Sequence, residues 1–449
     1  MNGRCLFPYR EYKDSGHAWI GMVPSQWEVL PNRALFRERI DKGHEHEQML
    51  SVTINCGVIR QTELLENSSK KDSSNEDKSN YKLVLPGDIT YNKMRAWQGA
   101  VGASSFRGIV SPAYVVQTLR RNDNPDYFHY LFRTPAFATE AERWSYGITS
   151  DQWSLRSGDF KQIYCPLPSR SEQDTIVRFL RKREHKINRL IRTKRRVIEL
   201  LNEQKQAVIH HAVTRGLAAN PALKPSGNAS LGEVPSHWRV SRLGQFITLQ
   251  RGFDITKEQQ RKGNIPVISS GGVSSFHDEP SCKGPGVIVG RKGSVGSVWF
   301  IDKDYWAHDT TLWVQAFNGN CPRFIFYLLQ IMNLKRFDTG SSNPTLNRNI
   351  VHPEPVAVPS PSEQEEIVTW LDQTLASLDH RIDNSDSQIA SLREYRTRLI
   401  ADVVTGKLDV LGVESLETEI EEALEPVNKT ENEEMEESEE LVSSGENNE

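Results

Sequence analysis

The chain has 449 residues, of which 37% are hydrophobic and 25% charged, an ordinary water-compatible composition long enough for about two to four domains with their own cores. No run approaches the roughly eighteen apolar residues of a membrane span, and MNGRCLFPYREYKDS lacks the apolar stretch of a secretory signal. Five scattered cysteines (Cys5, Cys56, Cys165, Cys282, Cys321) without a C-x-x-C pair argue against a disulfide framework or zinc site and suit a reducing cytoplasm.

In chain order, the first informative segment is KDSGHAWIGMVPSQWE, residues 13–28. It returns as KPSGNASLGEVPSHWR at 224–239, where Lys13, Ser15, Gly16, Gly21, Val23, Pro24, Ser25 and Trp27 recur as Lys224, Ser226, Gly227, Gly232, Val234, Pro235, Ser236 and Trp238. His44-Glu45-His46 has no third metal ligand at suitable spacing and reads as a solvated loop. Residues 66–82, ENSSKKDSSNEDKSNYK, are polar and aperiodic, a surface loop. The stretch KLVLPGDITYNKMRAWQGAVGASSFRGIVSPAYVVQ, 82–117, has the β-branched and aromatic content of strands, with Gly99, Val101 and Gly102 aligning with Gly293, Val295 and Gly296 of the later GRKGSVG run. Short aromatic helices are expected at 124–132 and 320–329. Asn124-Pro-Asp-Tyr127 and Ser111-Pro-Ala-Tyr114 read as turns. The glycine-rich 290–296 run lacks the G-K-[ST] order of a phosphate loop, so a Gly-bent strand pair is expected there.

PLPSRSEQDTIVRFL (166–180) returns as AVPSPSEQEEIVTWL (357–371). Each holds an S-x-x-E capping box, with Glu172 and Glu363 as capping carboxylates. Apolar residues then recur at three-four spacing in Val177, Leu180, Ile187, Ile191, Ile198, Leu201 and Val208, and in Val368, Leu371, Leu375, Leu378, Ile382, Ile389, Leu392, Leu399 and Val403. Gly216 and Gly406 are natural stops. A helix of about 46 residues extends roughly 69 Å, too long to bury its stripe on a small domain, so the two stripes are each other's best partner. Charge agrees: 170–215 carries thirteen basic and five acidic groups, 361–406 four and nine. A pseudo-twofold relation between the halves makes the pairing antiparallel. Lys194/Ser385 and Lys205/Arg396 are shared polar breaks in the stripes. Residues 409–449 hold sixteen acidic residues against one Lys, an expected disordered tail, which leaves a basic body suited to a polyanion.

The paired V-P-S-x-W segments, the P-G-D-I and N-K-M-R-A-W-Q-G-A-V-G runs, G-R-K-G-S-V-G and the two P-S-x-S-E-Q helix starts together resemble the specificity subunit of type I restriction–modification enzymes, over nearly the whole chain except the tail. The resemblance implies an α+β fold: two mixed α/β target-recognition domains separated by a long antiparallel two-helix coiled coil, with pseudo-twofold internal duplication. The expected segments are a first target-recognition domain (1–168), a spacer helix (169–217), a linker (218–230), a second target-recognition domain (231–359), a second spacer helix (360–408) and the tail (409–449). It further implies a non-catalytic, cytoplasmic subunit that binds double-stranded DNA and assembles with two adenine methyltransferase subunits and two ATP-dependent restriction subunits. S-adenosylmethionine, ATP and Mg then belong to those partners.

Two unlike readers on one rod suit an asymmetric, bipartite site with fixed spacing. Arginine reads guanine and Asn or Gln reads adenine, so Lys93, Arg95, Gln98 and Arg107 in the first half, and Arg291, Lys292, Asn343, Asn347 and Arg348 in the second, are the DNA-contacting candidates. Phosphate contact competes with base reading for each, being at least half of protein–DNA hydrogen bonds. Trp97 and Trp299 read as packing groups. The competing function is a coiled-coil scaffold for protein partners; steep salt dependence would distinguish DNA binding from it.

Overall fold

The computed structural model describes residues 7–66, 77–147, 153–229, 231–256, 258–338 and 345–411. The expected acidic tail beyond Leu411 and residues 67–76 of the polar insert lie outside them. The chain divides into two compact units, 1–192 with 389–449 and 193–388, and the division falls inside both long helices.

In the first unit, strands β1 (Phe36–Arg39), β2 (Ile89–Asn92), β3 (Val101–Ala103) and β4 (Tyr114–Leu119) form an antiparallel sheet in the order β1-β4-β2-β3. Side chains alternate across it: Val115 joins a core with Phe36, Ile89 and Tyr91, while Val116 joins Leu50, Val52, Val84 and Val110 on the other face. Helix α1 (Pro125–Phe132) covers the first face with Tyr127, Phe128, Leu131 and Phe132. The Asn124 side chain accepts the Asp126 N–H and proline takes the first helical position, so this N-P-D-Y stretch is a helix start, not the expected turn.

The second unit repeats that plan. Strands β5 (Thr248–Arg251), β6 (Gly286–Gly290), β7 (Val298–Ile301) and β8 (Thr311–Ala316) pair in the order β5-β8-β6-β7, and α3 (Pro322–Ile331) packs on Val287, Val289, Leu312 and Val314. The opposite face differs. The first unit lays two strand pairs there, Leu50–Thr53 with Gly57–Arg60 and Lys82–Val84 with Gly108–Val110; the second has a three-stranded sheet built on Ile265–Ser269.

The ladders correct one alignment. Asn92 N donates to Ala100 O at 3.0 Å and Gly290 N to Ser297 O at 2.7 Å, which matches Gly99 (φ 95) with Gly296 (φ 80), not with Gly293. The sequence comparison followed a local turn present in both copies, in which Val101 N and Val295 N each bond the glycine carbonyl two residues back.

Helices α2 (Arg170–Arg215) and α4 (Pro361–Val404) follow from the capped, periodic segments. Gly216 and Gly406, with φ of 70 and 78, take the left-handed conformation just past them. Within the first unit Arg396 Nη1 donates to Asn188 Oδ1 at 3.0 Å, and Val177 and Leu180 share a core with Leu399 and Val403. Within the second, Lys205 ion-pairs with Asp379, and Leu201 and Ile209 share a core with Leu371, Leu375 and Leu378. In the first unit the α4 partners fall from Leu399 and Val403 to Arg396 as α2 advances from Val177 and Leu180 to Asn188, the order an antiparallel pair requires. Ile187, Ile191 and Ile389 are buried too, whereas Ile198, Val208, Val368, Ile382 and Leu392 are half-buried.

The capping glutamates act differently from expectation. Ser169 Oγ and Ser360 Oγ accept the N–H of Glu172 and Glu363, as a capping box requires. The carboxylates reach outward instead. Glu172 accepts Trp27 Nε1 (2.9 Å) and Tyr9 Oη (2.8 Å); Glu363 accepts Trp238 Nε1 (3.0 Å) and contacts His237. The next residue completes the joint. Buried Gln173 accepts Asn124 N and donates to Asp123 Oδ1 and Pro168 O; buried Gln364 accepts Cys321 N and donates to Asn320 Oδ1 and Pro359 O. The tryptophan of V-P-S-x-W and the glutamine of S-E-Q thus fasten each long helix to its own sheet domain.

Candidate nucleic-acid interface

The turns leaving β2 and β6 present most of the candidate residues, and the backbone holds both turns alike. Lys93 N donates to Ala113 O (3.3 Å) and Lys93 O accepts Leu155 N (2.9 Å); Arg291 N donates to Thr310 O (2.8 Å) and Arg291 O accepts Leu346 N (2.9 Å). Leu155 and Leu346 are fully buried, anchoring the strap that crosses each turn. Each turn is therefore fixed by main-chain bonds while its side chains remain available.

In the first unit the turn closes through a 3-10 segment, Ala96–Gln98. Trp97 braces it, donating Nε1 to Met94 O and meeting Trp153 edge-on at 5.6 Å, the packing role expected for it. Lys93 is half-buried and Arg95 and Gln98 are exposed, and these three side chains make no hydrogen bond or ion pair among the described residues. Arg107 lies elsewhere, in the turn after β3, and is ion-paired to Glu47 at 2.7 Å.

In the second unit Arg291 and Lys292 occupy the turn, above a cleft of about 510 Å³ lined by Gly293–Ser297, Lys335 and Asp338. Lys292 is exposed without a side-chain partner among the described residues. Arg291 Nη1 donates to Asp309 O at 3.3 Å, and Arg251, at the end of β5, pairs with Asp309 Oδ2 at 2.9 Å. Partial burial first, and then the nearby Arg251 guanidinium, pull the Arg291 pKa below the usual arginine range, against the attraction of Asp309.

Other candidates are committed to the fold. Asn347 caps the short helix Arg348–Val351 by accepting Asn349 N, and Arg348 donates to Leu249 O and Gln250 Oε1. Asn343 lies outside the described residues. Trp299 packs over Gly272 and donates to Ser270 O. Sequence reading missed Arg251 and Asp309: they are 58 residues apart, and only the β5–β8 pairing brings them together.

The sequence-level metal candidate His44 contacts Asp41 at the surface. A different trio, Asp254, His308 and Asp309, brings three ligand atoms within 4.8 Å of one another. Two of its members are engaged already: Asp309 holds Arg251, and His308 Nδ1 accepts the Thr310 N–H at 3.3 Å. A cation there would have to displace a guanidinium.

Residues 235–385 match the family described as the type I restriction modification DNA specificity domain. Among curated proteins, the MjaX specificity subunit of Methanocaldococcus jannaschii is 27% identical over 247 residues, 50% of this chain and 53% of that protein. The EcoDI specificity subunit of Escherichia coli is 23% identical over 181 residues, 40% of each chain. The chain thus spans about half the length, or less, of the curated relatives it matches. A solved chain from work on assembly and conformational transition of a type I R-M system shares the fold with TM-score 0.67 at 12% identity, covering 86% of this chain and 99% of that one. The HsdS subunit of Thermoanaerobacter tengcongensis is similar over 86% of this chain and 98% of its own, with TM-score 0.51 and 15% identity. Repeated segments, repeated sheets and these matches agree in one direction: residues 235–385 carry a type I restriction modification DNA specificity domain, and the chain is similar in sequence and fold to type I specificity subunits.

Proposed function

We propose that this chain is the DNA sequence-specificity subunit of a type I restriction–modification complex. In this reading residues 1–168 and 231–359 are two target-recognition domains, each meeting one half of a bipartite, asymmetric DNA site. Segments 169–217 and 360–408 form one antiparallel coiled coil that sets the interval between them. The chain does no covalent chemistry: two methyltransferase subunits bring S-adenosylmethionine to the target adenines, and two restriction subunits bring ATP and Mg. Among the described residues no helix is long and apolar enough to cross a membrane. A subunit that reads DNA in this reading works in the cytoplasm.

The observation that carries this reading is the use of one four-stranded sheet twice, in the same order, with different side chains at equivalent turns. A scaffold for protein partners gives no reason for keeping the turn backbone while changing Lys93, Arg95 and Gln98 to Arg291 and Lys292. The test is binding of the assembled complex to a randomised duplex library over a salt series. Selection of a split sequence with a fixed gap, and affinity falling steeply with salt, is expected. Flat selection at all salts would return the chain to the scaffold class.

A further inference from the structure

We propose that Asp309 sets Arg251 and Arg291 as a fixed guanidinium fork that reads a guanine on its major-groove edge, in the half-site met by the second unit. This deepens the specificity-subunit reading and rests on it.

Four observations combine. First, one aspartate serves both arginines, its carboxylate for Arg251 and its own carbonyl for Arg291. Each guanidinium has five N–H donors, so most remain for an incoming acceptor. Second, Arg291 is pinned at both ends of its peptide, through Thr310 O and Leu346 N, so its side chain leaves from a fixed point. Third, the Asp309 contacts bring the two guanidinium groups to one residue, where partial burial first and then the Arg251 charge lower the Arg291 pKa. Such crowding is relieved when acceptors arrive. Fourth, Arg251 remains more than half exposed while Asp309 is only 17% exposed: the support is inside and the reader outside.

Phosphate oxygens and the O6/N7 pair of guanine offer the same chemistry, two acceptors on one edge. The support separates them. A phosphate contact tolerates a swinging, point-like charge, which exposed Lys292 beside the fork supplies. An arginine oriented by a carboxylate suits bidentate reading of guanine, which needs planar alignment. The equivalent turn of the first unit is built differently: Lys93 N bonds Ala113 O, and the residue before that acceptor is Pro112, where the second unit has Asp309; the carboxylate-held arginine there, Arg39 on Asp88, is mostly buried. Asp309 is a positioning residue; the arginines make the contact.

The experiment selects duplexes from a randomised library with the assembled complex carrying the wild-type chain, Arg251→Lys, Arg291→Lys or Asp309→Ala, with thermal melting as a fold control. Lysine keeps the charge and removes the fork. The wild type is expected to require guanine at one position of one half-site. Each variant should lose that preference by roughly tenfold to a hundredfold, with every other position and the melting temperature unchanged. If the selected sequence is unchanged while affinity falls uniformly and the salt slope shrinks, the arginines touch phosphate and the proposal is overturned, with DNA reading intact. If the wild type selects no sequence at all, the specificity-subunit reading itself fails. Should Asp309→Ala unfold the unit, the two lysine variants, which leave the aspartate in place, decide the matter.

Discussion

The two units share a frame and disagree at its rim. Both build four strands in one order, fasten the sheet to a long helix through tryptophan, glutamate and glutamine, and strap the turn after the second strand with a buried leucine. At that turn the first unit offers Lys93, Arg95 and Gln98, with a 3-10 segment braced by Trp97, whereas the second offers Arg291 and Lys292, with Asp309 joining Arg291 to Arg251 of the neighbouring strand end. The difference teaches where variation is cheap. Main-chain bonds define the turn, so its side chains can change without altering the sheet, while a change in the ladder would be felt throughout the core.

The largest expected break of this comparison is Gly290→Ala. An added Cβ would lie 2.1 Å from Ser294 O and 2.5 Å from Ser297 Oγ, so the turn must be rebuilt. A loss of about 3 kcal/mol in denaturant unfolding is expected. Asn92→Ala, at the matching strand end, removes only the bond from Met94 N and should cost about 1 kcal/mol. Equal costs would show that the two turns do not differ in tightness.

A smaller contrast lies at the helix joints. Glu172 is 6% exposed and accepts two buried donors, whereas Glu363 is more open and shares itself with exposed His237. Glu172→Ala should destabilise by about 2–3 kcal/mol and Glu363→Ala by about 1 kcal/mol, since unpaired buried donors are the larger penalty. Reversal of that order in urea unfolding would refute the assignment.

The smallest effect sharpens the comparison by pH. His129, fifth residue of α1, packs against Gly57 and Gly102, and Phe326 holds the fifth position of α3. Burial first, then Arg133 and Arg181, push the His129 pKa from 6.5 down to about 3. The unfolded chain therefore takes up a proton that the folded one refuses, and stability falls as pH drops from 6.5 towards 3. His129→Phe should move the acid-unfolding midpoint to lower pH. Half-buried His352, whose pKa is also lowered by burial and by Arg348, keeps some acid sensitivity in the second unit. An unshifted midpoint would mean that the imidazole is solvated in the fold.

The legible parts of the sequence were those governed by short-range physics. The S-x-x-E starts, the period of the apolar stripes and the terminal glycines each act over a few residues, and the two long helices follow them. Long-range pairing was not legible in the same way. The register that matches Gly99 with Gly296 depends on strands, and the Arg251–Asp309 contact depends on which strands are neighbours. Asn347 and Arg348 were named from residue type alone, and their hydrogen bonds within the fold depend on neighbours that the loop sequence does not show. The outward reach of Glu172 and Glu363 escaped because a capping box already gives those carboxylates a local task.

The buried glutamines carry one more consequence. Gln173 and Gln364 make the same kinds of bond, one accepted from the chain entering the aromatic helix and two donated, to a side chain and to the carbonyl five residues back. A graft that exchanges one sheet domain for another just upstream of the S-E-Q tripeptide would meet matching sockets. The molecule is built so that its vocabulary can be replaced without retooling the hinge plate.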